Sequence, residues 1–158
     1  MTSATQSGNV PDTGRIWSLW RHATTLLEAF PLGLMLLVGR VAVASVFLKS
    51  GLTKIASWEV ALQLFRQEYQ VPVLPPEIAA LLATSFELGC SALLIAGLFT
   101  RLATLPLMGM VFVIQTFVYP DAWTDHLMWF TLLLLILTRG PGPISLDAVL
   151  GRLLRKSA

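Results

Sequence analysis

Two ionisable residues stand where hydrocarbon would make them costly. Arg40 lies near the middle of the apolar run PLGLMLLVGRVAVASVFLKSG, and Glu87 near the middle of IAALLATSFELGCSALLIAGL. An arginine at the centre of a transmembrane helix costs about 2.5–3.5 kcal/mol even on insertion scales, so such residues seldom face lipid. Adjacent antiparallel helices bring their midpoints to one depth, and this spacing predicts an Arg40–Glu87 pair in the interior. Pairing offsets part of the desolvation without necessarily adding net stability. The pair reads either as a bridge that fixes helix register or as a polar site for a ligand or a proton.

Other polar groups fall at a neighbouring level. Gln115 lies roughly 7 Å outward of the middle of its own apolar run, at 1.5 Å per residue. His126 and Trp129 are three apart and share a helix face, with Tyr119 and Asp125 close by. Imidazole exchanges protons near neutrality, which suits His126 to a ligand bearing carbonyl oxygens. Lys54, fourteen residues beyond Arg40, returns to a similar helical face, whereas Lys49 falls on the opposite one and snorkels. The expected ligand-binding set is therefore Arg40, Lys54, Glu87, Gln115, His126 and Trp129, with Glu87 and His126 the candidates for catalytic proton transfer. The plainer readings stand beside it: His126 as an ordinary interfacial residue, and Trp123 and Trp129 as an aromatic belt.

Several chemistries are excluded. No HExxH or Cys/His cluster marks a metal site, and the single cysteine, Cys90, precludes an internal disulfide or a CxxC redox pair. Ser85 and Ser91 have no accompanying base or oxyanion motif, so hydrolase chemistry is unsupported. The Lys and Arg residues are scattered, which argues against nucleic acid as a partner even at a net charge of +2.

The elements that must position these groups are membrane helices. The 158 residues are 55% hydrophobic and 13% charged, with mean hydropathy +0.72. Soluble domains carry about 25% charged residues, so this chain cannot cover a water-facing surface. The expectation is an all-α membrane protein, a four-transmembrane-helix bundle with spans at about 31–51, 78–98, 102–119 and 122–138, each close to the length a bilayer requires. Alternating strands of barrel type are absent from the pattern. Residues 1–14 read as a disordered polar tail and not as a signal peptide. Residues 15–30, with Trp17 and Trp20, read as an interfacial helix. Residues 52–77 read as an interfacial amphipathic helix between spans one and two, with Trp58, Leu62, Phe65 and Tyr69 on one face and Glu59, Gln63, Arg66 and Gln70 on the other. A short amphipathic helix follows the last span, and the transmembrane domain as a whole covers 31–156.

Charge sets the expected orientation. Arg15, Arg21, Arg101, Arg139, Arg152, Arg155 and Lys156 fall on one side of the spans, against Lys49, Lys54 and Arg66 on the other. The excess predicts both termini, and the C-terminal helix, in the cytoplasm. The polar vestibule formed by Gln115, His126 and Trp129 then opens outward.

The motifs in order resemble the DoxX-like membrane protein family. The likeness runs through GRVAVASVFLKSGLTK with Arg40, Gly51 and Lys54, then FELGCSALLIAGLFTR with Glu87, Gly97 and Arg101. It closes on RGPGPISLD with Gly140, Gly142, Ser145, Leu146 and Asp147, and covers roughly residues 33–150. The resemblance implies a multi-pass protein of the cytoplasmic (inner) membrane of a bacterium or archaeon, in a family similar to the small subunit of thiosulfate:quinone oxidoreductase. It also implies structural roles for Gly51, Arg101, Gly140, Gly142, Ser145 and Asp147. Ser145 is expected to cap the last helix, with Asp147 held by Arg101 or Arg139. No intrinsic cofactor is expected, and a quinone or a partner subunit would carry electrons.

Two functions follow on equal terms. One is a membrane subunit of an oxidoreductase system that binds quinone in the vestibule. The other is a non-catalytic scaffold that anchors a redox or oxidative-stress partner, or a second copy of itself. A solute transporter is the minor third, since four spans without an internal repeat fall short of the usual architecture. The residues leave open whether the chain is itself an enzyme.

Overall fold

The computed structural model describes residues 13–72 and 74–156. The expected polar tail lies, through residue 12, outside the described residues. The chain divides into two units, residues 1–31 and 32–158. The first contains helix α1, Thr13–Glu28, which begins slightly ahead of the expected residue 15 and exposes both Trp17 and Trp20.

The second unit is all helix. It comprises α2 (Leu32–Ala56), α3 (Trp58–Leu64) running into a π-helical turn (Phe65–Tyr69), and α4 (Pro76–Ala96). There follow α5 (Thr100–Val113) running into a second π-helical turn (Ile114–Val118), α6 (Trp123–Arg139) and α7 (Leu146–Lys156). Leu32–Ala56, Pro76–Ala96 and Thr100–Val118 are each long and apolar enough to cross a membrane. This is a multi-span all-α membrane protein. Around the bundle α2 packs on α4 and α6, and α5 packs on the same two helices. Val43, Ala44 and Phe47 meet Leu94, Leu107, Val111, Leu133 and Ile136 in the core. Val38, Val41, Leu81, Leu102, Leu105 and Phe112 point away from it and are exposed, the distribution that lipid permits and water does not.

Local sequence explains the ends of these helices. Pro76 opens α4 at a position where its missing N–H costs nothing. Gly97, at φ +71°, closes it: its N–H reaches Leu94 O and the Leu98 N–H reaches Leu93 O, a Schellman arrangement. The same turn feeds α5 within three residues, so α4 and α5 are tight antiparallel neighbours at this end, called here the Gly97 end. The two π-helical turns and residues 70–72 and 74–75 gather at the opposite, Tyr119 end.

The register between α2 and α4 differs from a flush alignment of midpoints. Gly51 fits against α4 because it lacks a side chain: a Cβ there would sit 2.8 Å from Leu88 Cγ and 3.1 Å from Glu87 Cβ. At the other end, Arg40 Nη1 lies 2.9 Å from where a Gly97 Cβ would stand. Arg40 and Gly51 are eleven residues apart, about 16 Å along the helix. Arg40 and Glu87 therefore occupy different depths, and the expected pair does not form. The stagger has a physical cause. Pro143 and Gly142 pack on Gly33 and Leu36 at the start of α2. Trp58, Leu62, Phe65 and Tyr69 pack on Ala79 and Ala80 at the start of α4. Each overhang is covered by a folded connection, so flush helices are unnecessary.

Candidate functional site

Glu87 takes Lys54 as its partner. The Lys54 ammonium donates to both carboxylate oxygens, at 2.8 and 2.9 Å, and to Ser50 Oγ at 2.8 Å. The Ser50 hydroxyl itself donates to Glu87 Oε1 at 3.0 Å. Ser50 and Lys54 are one helical turn apart on α2, and the Gly51 contact brings that face onto α4. The Glu87 side chain is 4% exposed and that of Lys54 15%, so the pair is buried with its cationic end nearer open space.

A second polar group comes from α5 and α6. Gln115, within the second π-helical turn, donates through Nε2 to Pro120 O at 2.7 Å, which turns its Oε1 toward His126 Nδ1 at 2.6 Å. An amide oxygen only accepts, so Nδ1 carries the hydrogen, and Nε2 of the neutral ring holds the lone pair. Nε2 makes no hydrogen bond among the described residues. Trp129, one turn on, meets the His126 ring at 5.3 Å and stands edge-on to Phe47 at 6.0 Å.

Both groups face one cavity of about 420 Å³ in the half of the bundle toward the Tyr119 end. Its walls are Phe47, Ser50 and Lys54 of α2, Leu82, Phe86 and Glu87 of α4, Pro106, Gly109, Met110 and Val113 of α5, and His126 and Trp129 of α6. Phe65, Tyr69 and Tyr119 line its outer part. The volume falls in the range of small-molecule sites, about 300–1,000 Å³, and a mostly apolar lining with a few polar groups is their usual character. Across the Tyr119 end, the Tyr119 hydroxyl donates to Glu68 Oε1 at 2.6 Å, and the rings of Tyr69 and Tyr119 meet edge-to-face at 6.0 Å. The hydrogen bond to Glu68, helped by burial, holds the Tyr119 phenol well above its ordinary range.

Residues 35–120 match the DoxX family. The chain belongs to the DoxX family. The matched segment holds Arg40, Ser50, Gly51, Lys54, Glu87 and Gln115, whereas His126, Trp129 and the 140–147 turn lie beyond it. No curated protein and no solved structure matches the chain.

In this DoxX-family chain Arg40 stands apart from the cavity. It is buried at the Gly97 end, where Nη1 donates to Pro141 O at 2.5 Å and Nη2 to Ile144 O at 2.9 Å. The carboxylate of Asp147 is bound by main chain: it accepts from the Phe99 N–H at 2.9 Å and the Thr100 N–H at 3.1 Å, capping α5. Neither Arg101 nor Arg139 holds it, contrary to expectation. Arg101 donates instead to Thr138 O at 3.4 Å, with its guanidinium over Gly140, while Gly142 abuts Leu36. Ser145 Oγ accepts from the Ala148 N–H at 3.2 Å at the start of α7.

Of the six expected ligand residues, Lys54, Glu87, His126 and Trp129 line the cavity together. Gln115 stands behind His126 and orients it, and Arg40 is elsewhere. Ser50, Tyr69 and Glu68 were not anticipated. Ser50 carried a readable signal, four residues before Lys54 on the same face. The two tyrosines meet only because the π-helical turns face each other, and the sequence does not announce those turns. Among the described residues no three His, Cys, Asp or Glu side chains form a metal-binding group.

Proposed function

We propose that this DoxX-family protein is the membrane subunit of an oxidoreductase system and binds a quinone in the cavity. The observation that carries the reading is one mostly apolar chamber of about 420 Å³ into which the Lys54–Glu87–Ser50 cluster and His126 bring polar groups. A bound quinol would supply two-electron, two-proton redox chemistry, its electrons passing to a redox partner subunit and its protons to bases of the chain. Lys54 donates to a ring oxygen. His126 Nε2, kept as an acceptor by the Gln115 contact, takes the hydrogen of a ring hydroxyl. Glu87 holds Lys54 in place and offers a second proton acceptor. The aromatic and methionine side chains exclude water from the ring.

In this reading α6, with 17 residues, is the fourth span, about 25 Å of helix. Helices α1 and α3 lie at the membrane surface. Both termini are cytoplasmic in a cytoplasmic membrane, so the Tyr119 end faces outward. A scaffold role is the second reading, favoured by α7, which exposes Leu146, Val149, Leu150 and Leu154 beside Arg152, Arg155 and Lys156.

Mass spectrometry of lipids co-extracted with the purified protein tests the choice. Quinone enriched over the bulk membrane, and lost from His126→Leu and Lys54→Met variants that remain folded, supports the site. An extract with no enrichment sinks it. Purification with a stoichiometric partner and no quinone favours the scaffold.

A further inference from the structure

The cavity is walled unequally. Toward α2 and α6 its lining is buried or half-buried, with Phe47 and His126 fully covered. Toward α4 and α5 it is not. Leu82 and Phe86 are each 39% exposed, and Gly109 is exposed too. Leu82 and Phe86 are one turn apart on α4, and Pro106, Gly109 and Val113 follow at three and four residues on α5, so each set forms a single face. Gly109 stands at the middle of Thr100–Val118, at hydrocarbon depth. It contributes no side chain, and a Cβ built there would meet nothing within 4 Å. The Tyr119 end, where Leu74 and Tyr119 are exposed as well, is spanned by the Tyr119–Glu68 hydrogen bond.

The geometry points to a lateral portal between α4 and α5, at Gly109, through which the hydrocarbon tail of a ring bound in the cavity passes into the lipid. This rests on the quinone reading and narrows the ligand to long-chain, lipid-soluble quinones. Every rim group of the portal is apolar, so a polyisoprenoid chain lying in it keeps its methylenes out of water all the way to the bilayer. The polar groups wait deeper, at Lys54, Glu87 and His126, where ring oxygens are recognised. Head and tail of one amphiphile thus find matching surroundings along a single path.

The test uses the full chain in lipid nanodiscs and a long-chain quinone with a photoreactive diazirine on its first isoprenoid unit. Adducts on Leu82, Phe86 and Val113 that unlabelled quinone displaces are expected. Adducts confined to Val71, Leu74 and Tyr119 overturn the portal, and so does equal displacement by a phospholipid of matched chain length. No quinone-displaceable adduct anywhere overturns the portal and the quinone reading together. A second arm uses Gly109→Phe, whose Cβ meets no neighbour within 4 Å. Its control is Gly89→Phe, on α4, where a Cβ also meets nothing within 4 Å and which does not line the cavity. Gly109→Phe is expected to weaken long-chain quinone about tenfold, the equivalent of roughly two buried methylenes, while a short-chain analogue is nearly unaffected. Gly89→Phe is expected to change neither. Unchanged long-chain binding in Gly109→Phe, or equal loss of both quinones, overturns the portal and leaves the quinone reading in place.

Discussion

Lys54→Met removes one ammonium and little else, because methionine keeps much of the apolar stem. Glu87 then retains Ser50 as its only side-chain donor, with its carboxylate 4% exposed. Removing one partner from a buried ion pair costs about 3–5 kcal/mol. Lys54 is 15% exposed, so a value at or just below the bottom of that range, about 2–3 kcal/mol, is the better expectation. For a chain of this length each kcal/mol moves the midpoint by about 2–4 °C, which gives a fall of roughly 5–10 °C. Glu87→Gln should cost less, about 1–2 kcal/mol, since the freed ammonium can turn toward the cavity. Thermal melts of purified protein in one detergent, completed with the Lys54→Met/Glu87→Gln double variant, give the coupling. The double variant should melt close to Lys54→Met alone. If the two losses simply add, the pair carries no energy and the site as drawn is wrong. The same cycle with Arg40→Met in place of Lys54→Met should show no coupling, because Arg40 lies about 16 Å of helix from Gly51, the α2 residue that abuts Glu87.

Three further outcomes can be checked. Arg40→Met leaves the Pro141 and Ile144 carbonyls without their donor, so cleavage by added protease between residues 139 and 147 should rise at least severalfold, whereas Lys49→Met should leave it unchanged. Gly97→Ala places a Cβ 2.6 Å from that of Ser145 at φ +71° and should cost about 2 kcal/mol or more in melts, whereas Gly109→Ala in open space should stabilise by about 0.5–1 kcal/mol. Tyr119 should release its proton only in strong alkali: its raised folded value means the stabilisation from the Glu68 hydrogen bond is fully present below the ordinary phenol range and is lost as pH climbs from there through the raised value. Ultraviolet titration should show the last phenolate step, and Tyr119→Phe should abolish it.

The helical frame was largely legible from hydropathy, since apolar runs near twenty residues leave few alternatives. Even so, α2 extends to Ala56, five residues past the expected end of the first span at 51. That extension carries Lys54 onto the bundle and gives Glu87 its cation. Matching charges by midpoint failed because the overhangs are covered by the 140–147 turn and by the α3 segment, and stagger of that kind leaves no trace in composition. Arg40 was misassigned for a related reason. Its partners are main-chain carbonyls, which every residue possesses and no side-chain pattern reveals. Gln115 and His126 were legible as neighbours because both sit close to the short Tyr119–Ala122 connection, which leaves the two helices little freedom to separate.

The anchoring of Arg40 also imposes an order on biogenesis. Its acceptors, Pro141 and Ile144, are translated 101 and 104 positions later. Throughout that interval the guanidinium must be sheltered by the insertion machinery or by water, since lipid alone would reject it. A chain that stalls before its final turn therefore displays an orphan cation within the bilayer, a defect that membrane proteases can sense. The 140–147 turn, made long after α2, is thus the segment that certifies α2.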